Sequence, residues 1–295
     1  MPNIEPDAFA TLILRAEQLL DRVEALFERK LREPDWSASH AFRYRRRQGY
    51  PVIEAILRPA LISFSDLCII ERQKAAVLQN TRQFLQGLPA NNVLLTGARG
   101  TGKSSLIRAC LDGFAKEGLR IIEVDKADLA DLSDLVDVIA RRDERFIIFC
   151  DDLSFEEGES GYKALKAALD GSLAASAENL LIYATSNRRH LMPEQMRDNL
   201  SMVHQDDGEI HPGEVIEEKI SLSERFGLWL SFYPFRQDEY LAIVAHWLDH
   251  FGHADDSYEV RDEALRFALE RGSRSGRVAL QFARDFAGRR GLEKT

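Results

Sequence analysis

Apolar residues near the N-terminus recur at alternating steps of three and four, at Phe9, Leu12, Ala16, Leu19, Val23 and Leu26, with Ile13, Leu20 and Phe27 widening the stripe. This spacing predicts one long amphipathic helix from Phe9 to Leu31, ended by Glu33-Pro34-Asp35. Its polar side mixes Glu17, Asp21, Glu24 and Glu28 with few arginines. Such a helix packs on the rest of the chain or on a neighbouring subunit rather than on a membrane. The next stretch, Phe42-Arg43-Tyr44-Arg45-Arg46-Arg47, interleaves aromatic and basic residues. It reads as a solvated helix face with aromatics tucked inward, the alternative being a contact for nucleic acid or an acidic partner.

Beyond Pro59 the pattern changes. Short apolar runs at Val93–Thr96, Arg120–Val124, Phe146–Cys150 and Leu180–Thr185 alternate with helical spacing at Arg72–Phe84, Ser104–Gly113, Leu129–Ala140 and Gly161–Leu173. Continuous apolar strands between helices predict an α/β fold with a parallel sheet covered on both faces. Residues 190–219 turn polar and acidic, a further strand follows at Leu228–Phe232, and the remainder reads as helices only, at Asp238–His250, Asp262–Glu270 and Arg277–Ala287. The expected organisation is an N-terminal helical region over 1–62, an α/β core over 63–235 with a polar insert at about 190–220, and a C-terminal helical domain over 236–295.

The chain has 295 residues, of which 45% are hydrophobic, which is enough for such a core with helical additions. A net charge of −9 argues against a protein whose main task is coating nucleic acid. Cys68, Cys110 and Cys150 are odd in number and far apart, so they read as reduced apolar fillers. No apolar run approaches a membrane span, and no basic segment precedes an apolar one at the N-terminus. The expected compartment is the cytoplasm. His246, His250 and His253 have helical spacing, but with Asp249 as their only nearby carboxylate they read as a solvated face rather than a metal site. Cys150 has no histidine beside it to act as a base and reads as buried.

The chemistry concentrates at strand ends. Gly97-Ala98-Arg99-Gly100-Thr101-Gly102-Lys103-Ser104 matches G-x-x-x-x-G-K-[ST] between a strand and a helix, where backbone N–H groups and the helix N-terminus, with Ser105 next in line, cradle phosphates. Lys103 would reach the β- and γ-phosphates of a nucleoside triphosphate. Ser104 would place its hydroxyl on magnesium, because a hard cation takes oxygen ligands. The strand Phe146–Cys150 ends in Asp151-Asp152, one carboxylate for the metal and one for the attacking water. The strand Leu180–Thr185 runs into Thr185-Ser186-Asn187, which puts Asn187 within reach of a γ-phosphate. Arg225, within Ser223-Glu224-Arg225-Phe226-Gly227, and Arg277, after Gly276, are candidate cations.

This order of motifs, from about Ser63 to Ala287, resembles the AAA+ ATPases and, more narrowly, a bacterial AAA+ group known only by a domain-of-unknown-function label. The resemblance implies ATP and Mg2+ as ligands, Asn187 as the first sensor, Arg225 as an arginine finger acting on a neighbouring copy, and Arg277 as the second sensor in a C-terminal lid. It implies a homo-oligomer. Leu67-Cys68-Ile69-Ile70-Glu71-Arg72 looks like the segment that lines the adenine pocket, with Ile69 where a glycine is often found. Asp152 stands where many such ATPases carry glutamate, and its shorter side chain implies slow hydrolysis. Some features are similar to replication initiators and helicase loaders, but no room is left after the lid for the initiators' extra DNA-binding domain. Asp125 to Arg145 contains no aromatic residue, unlike the pore loops of protein-threading machines. The expectation is an ATPase that remodels or loads an unknown protein partner. The alternatives are a slow or non-hydrolysing ATP switch and a DNA-associated loader contacting DNA through Phe42–Arg47.

Overall fold

The apolar runs form the centre of a seven-stranded sheet. In a computed structural model that describes residues 15–17, 19, 31, 33–155, 159–170, 178–188, 191, 203–204, 210–211 and 222–293, the strands are β1 Ala41–Arg47, β2 Tyr50–Ala55, β3 Val93–Gly97, β4 Leu119–Val124, β5 Arg145–Cys150, β6 Leu180–Ser186 and β7 Leu228–Phe232. They lie in the order β2-β1-β4-β5-β6-β3-β7. Only the β1–β2 pair is antiparallel. Alternate residues along each strand enter two separate cores. Val93, Leu95, Ile121, Ile147, Phe149 and Tyr183 face one, while Leu94, Ile122, Ile148, Cys150, Ile182 and Ala184 face the other. Both faces are therefore dry, which is why these strands read as unbroken apolar runs.

The first core is closed by α1 Glu71–Leu85 and α2 Lys103–Phe114, the second by α3 Leu132–Ile139 and α4 Ser160–Asp170. The C-terminal helices α5 Gln237–His250, α6 Tyr258–Glu270 and α7 Gly276–Leu292 pack on one another through Tyr240, Val244, Leu248, Ala264, Phe282 and Phe286, and join the first core. Helix α6 starts four residues earlier than the periodicity predicts because Ser257 caps it, its hydroxyl accepting from the Val260 N–H. Helix α7 is capped in the same way by Ser275 and Val278. Cys110 and Cys150 are buried and free, and burial pushes both thiols up to about 12, which makes them inert fillers.

One expectation is corrected. Phe42–Arg47 is a strand, not a helix face, and the region expected to be helical over 1–62 contains the hairpin Ala41–Ala55. The run Phe-Arg-Tyr-Arg alternates with period two, and a strand sends alternate side chains to opposite faces. Phe42 and Tyr44 are buried as expected, while the arginines point outward. Gln48 and Gly49, both at positive φ, close the hairpin in two residues. Its arginines meet acids: Arg43 pairs with Glu123, Arg45 and Arg47 with Glu54, and Arg46 with Asp131, which also accepts the Tyr44 hydroxyl. The hydrogen bonds from Arg46 hold the Asp131 carboxyl below the usual carboxylate range.

Of the expected N-terminal helix, residues 15–17 and 19 are helical and exposed, and the rest lies outside the described residues. The polar insert at 190–220 also lies largely outside them. Its described part is Leu191, which is buried, and a two-residue antiparallel ladder between Val203–His204 and Ile210–His211.

The sheet leaves no room at the end of β3. A Cβ on Gly97, whose φ is +126°, would stand 1.9 Å from the Phe232 carbonyl oxygen. Gly97→Ala should therefore cost about 3 kcal/mol or more, combining backbone strain with overpacking against a strand that cannot move alone. Thermal or urea unfolding of the purified variant measures this, and a loss below about 1 kcal/mol would show that β7 yields.

Candidate functional site

The strand order puts the carboxyl ends of β5, β6 and β3 side by side, with β6 in the middle. Each end carries one group of polar residues. After β3 the chain turns through Ala98, Arg99, Gly100 and Thr101 into Gly102, which caps α2 at φ +100°. Glycine adopts this left-handed conformation without steric cost. The Thr101 hydroxyl donates to the Ala98 carbonyl at 2.8 Å and tightens the turn. Lys103 begins the helix and is only 5% exposed. Its Nζ donates to the Gly97 carbonyl at 2.8 Å, the Ala98 carbonyl at 2.7 Å and Asn187 Oδ1 at 3.0 Å.

Around this ammonium the acids are tied into place. Ser104 Oγ donates to Asp151 Oδ1 at 2.6 Å, and so does Thr185 Oγ1, also at 2.6 Å. Asp152 sits in the left-handed region at φ +52°, and its carboxylate accepts from Asn187 Nδ2. Asn187 thus bridges Lys103 and Asp152 through the two ends of one amide. The three strand-end motifs predicted from sequence form one constellation.

These residues line a cleft of about 570 Å3, within the range of small-molecule sites. Its lining combines the polar or charged Arg99, Lys103, Ser104, Asp151, Asp152 and Asn187 with the apolar Ile62, Leu67, Ile70, Ile243 and Leu280. The C-terminal helices contact the loop directly. Gly276 N–H donates to the Gly100 carbonyl at 2.9 Å, and a Cβ on Gly100 would stand 2.8 Å from the Ser275 side chain. This contact brings Arg277 into the cleft. Arg225 is elsewhere. It precedes β7, outside this cleft, and pairs with Asp170 at the C-terminal end of α4.

The segment expected to border the base carries a left-handed residue. Ile69 has φ +68°, the conformation for which glycine is suited and a β-branched residue is an outlier. Lys74 holds this segment from below, its Nζ donating to the Phe64 and Leu67 carbonyls at 3.0 and 2.8 Å. Asp66, on the same segment, faces His246 and His250 of α5 at 3.3 and 3.9 Å. Two of the three histidines set aside as a metal site are thus engaged with a carboxylate, and among the described residues no cluster of three or more His, Cys, Asp or Glu is poised for a metal ion. A larger cavity of about 760 Å3 lies at the other end of the sheet, between the end of α1, α3 and α4, away from the strand-end motifs.

Comparison with known proteins fits this geometry. Residues 37–290 match the model of a family described as protein of unknown function (DUF815). The chain belongs to the DUF815 family. None of the curated proteins compared with it matches in sequence. Among solved structures, a point mutant of Thermotoga maritima RuvB superposes with a TM-score of 0.55 at 14% identity, over 81% of this chain and 68% of that one. AMPPCP-bound DnaA from Aquifex aeolicus superposes with a TM-score of 0.47 at 17% identity, over 71% and 61%. The DUF815 chain has the α/β P-loop fold of the AAA+ ATPases, carried by the first of these likenesses.

Two residues of this DUF815 site were not singled out by sequence. Thr185 is seen in the sequence only as part of a polar strand end, and Ser275 as nothing more than a residue before Gly276. A strand that ends in consecutive polar residues inside an apolar core is the available signal for Thr185, because a buried hydroxyl needs a partner. No periodicity marks Ser275, whose contact with the loop is tertiary.

Desolvation is the main cause that lowers the Lys103 ammonium to about 8 from an ordinary value of 10.5. Asp152 and Asp151 oppose the shift, while Arg99 and Arg277 add to it. The folded free chain therefore loses this proton near pH 8, whereas an anion against Nζ favours keeping it. Binding of an anion that does not itself titrate in this range takes up a proton above about pH 8 and little below. Affinity for sulfate, used as such a probe, should be level below about pH 7.5 and fall by up to tenfold per unit above about pH 8. Calorimetric titration in buffers of different ionisation heat checks both the slope and the proton uptake. Level affinity to about pH 9.5 would remove Lys103 from the anion contact.

Proposed function

We propose that this chain binds ATP with Mg2+ in the cleft between its phosphate loop and its lid, and hydrolyses ATP at interfaces between copies of itself to remodel or load a protein partner. The observation that carries the reading is the convergence of Lys103, Ser104, Asp151, Asp152 and Asn187 from three neighbouring strand ends on one cleft. The residues of Gly97 to Ser105 bind the phosphates through backbone N–H groups and the Lys103 ammonium. The apolar side chains of the cleft lining, among them Leu67, Ile70 and Ile243, suit a base. Oxygen donors on Ser104 and Asp151 fit a hard cation, which when bound neutralises charge on the phosphates.

Asp152 is the group that orients the attacking water and accepts its proton. In the free protein its carboxylate is held by Asn187, and Lys103 occupies the other end of the same amide. A γ-phosphate that draws Lys103 away from Asn187 loosens that amide, so the sensor reads the nucleotide through a swap of hydrogen bonds. Arg277 enters the cleft from the lid and couples lid closure to phosphate charge. Arg225 lies outside the chain's own cleft, which supports a role in a neighbour's site.

A slow switch is the second reading, favoured by the short Asp152 side chain and by its engagement with Asn187. In the DNA-loader reading the contact would be the hairpin arginines, which here pair with Glu54, Glu123 and Asp131.

Lys103→Ala should weaken ATP binding at least about 100-fold, through loss of a desolvated charge contact. Asp152→Asn should bind ATP normally and lose turnover by about 100-fold or more. Fluorescent-nucleotide titration and single-turnover hydrolysis separate the two effects. Ordinary binding by Lys103→Ala would sink the phosphate-loop assignment.

Arg225→Ala should bind ATP and lose about 10³-fold or more in rate, as for a finger supplied by a neighbour. It should regain turnover when mixed with Lys103→Ala, which keeps an intact Arg225. Specific activity of the wild-type chain should rise with protein concentration. Flat specific activity, or no rescue in oligomers that demonstrably mix, would favour the monomeric switch.

A further inference from the structure

The Thr185 side chain is 1% exposed and sits at the end of β6, between the two strands whose ends carry the chemistry. We propose that Thr185 is a positioning residue, which commits one oxygen of Asp151 to the protein so that the other faces magnesium, and which holds the turn that aims Asp152 into the cleft. This rests on the reading of Asp151 as the metal-bearing carboxylate.

Three consecutive residues of the turn after β5 each bond to Thr185. Its hydroxyl donates to Asp151 Oδ1 at 2.6 Å, the same oxygen accepts from the Asp152 N–H at 2.9 Å, and its carbonyl accepts from the Leu153 N–H at 2.7 Å. A hydroxyl has one proton. With the Asp152 N–H directed at its lone pair, that proton has one place to go, and it lies on Asp151. Ser104 donates to the same Oδ1. Both hydroxyls therefore occupy one carboxylate oxygen, while Oδ2 takes no hydrogen bond among the described residues. A carboxylate pinned on one side and open on the other suits a cation at a fixed position, because groups that orient a ligand tune its metal affinity.

The same bond governs Asp152. A non-glycine residue at φ +52° needs its surroundings to hold it there, and its N–H is fixed to Thr185 Oγ1. The neighbouring Ser186 hydroxyl donates to the Leu153 carbonyl at 2.6 Å and closes the far side of the turn. The ends of β5 and β6 thus move as one piece, and the carboxylates keep their relation to Asn187, two residues after Thr185. A threonine that served packing alone would not need its proton on an anion. Valine matches its shape and removes both side-chain bonds.

The test is a magnesium titration of fluorescent-ATP binding by the full chain, with a parallel arm in EDTA. In Thr185→Val the Mg2+ concentration for half-maximal enhancement should rise about 10–100-fold, with affinity in EDTA unchanged. Thr185→Ser, which keeps the hydroxyl, should return to within about threefold of wild type, since the same two bonds remain available. If Thr185→Val does not fold, as judged by its unfolding transition, Thr185→Ala removes the same bonds without a second methyl and takes its place. Asp151→Asn is the reference. If it shifts the Mg2+ requirement and neither Thr185→Val nor Thr185→Ala does, the positioning role is wrong and the metal reading stands. If Asp151→Asn leaves the Mg2+ requirement unchanged, the metal reading fails and the proposal falls with it. Equal loss of affinity with and without Mg2+ in Thr185→Val would assign the residue to the fold.

Discussion

The ammonium of Lys103 is costly to place, because it is nearly out of water and a buried charge needs partners. Its partners are the Gly97 and Ala98 carbonyls and the Asn187 amide oxygen. Two come from the loop that the lysine itself follows. The third comes from a strand 84 residues away in sequence. The tight glycine loop, the neighbouring positions of β3 and β6 and the polar end of β6 all serve this one charge. The lowered Lys103 pKa shows that desolvation still outweighs the nearby carboxylates. The free site therefore holds its charge at a cost, which an anion against Nζ would offset.

The lid shares that constraint. Its helices join the core under β3 and α2 rather than standing apart, and its α7 N-terminus is hydrogen-bonded to the loop at Gly100. The loop and the start of α7 are thus in direct contact through Ser275 and Gly276. A second link runs from Asp66 to His246 and His250 on α5. Two of the segments that line the cleft therefore touch each other.

The hairpin shows how charge is settled locally. Four arginines in five residues look like a basic patch until the outward faces of β2, β4 and the turn before α3 are added, each of which supplies an acid. Exposed pairs of this kind contribute little to stability individually. Their effect is to leave the edge of the sheet close to neutral, with Tyr44, Arg46 and Asp131 joining β1 to the segment that leads into α3.

Sequence by itself determined the parallel sheet, its strands and most helix bounds, because burial on both faces forces unbroken apolar runs and helices keep their 3.6-residue period. It also determined the phosphate loop and the acidic strand end, whose spacing is local chemistry along one strand and turn. The hairpin was legible but misread: Phe-Arg-Tyr-Arg carries a period of two, and the arginines that follow hid it. The rest was decided only by tertiary structure. Which oxygen of Asp151 is engaged, that Asn187 joins Lys103 to Asp152, and that Ser275 meets Gly100 all depend on the order of strands and on the lid's packing. The left-handed Ile69 belongs here too, since no periodicity along the chain marks a positive φ. Hydrogen bonds between residues far apart in sequence leave no periodic trace, so a reading along the chain names the groups, and the fold decides which of them touch.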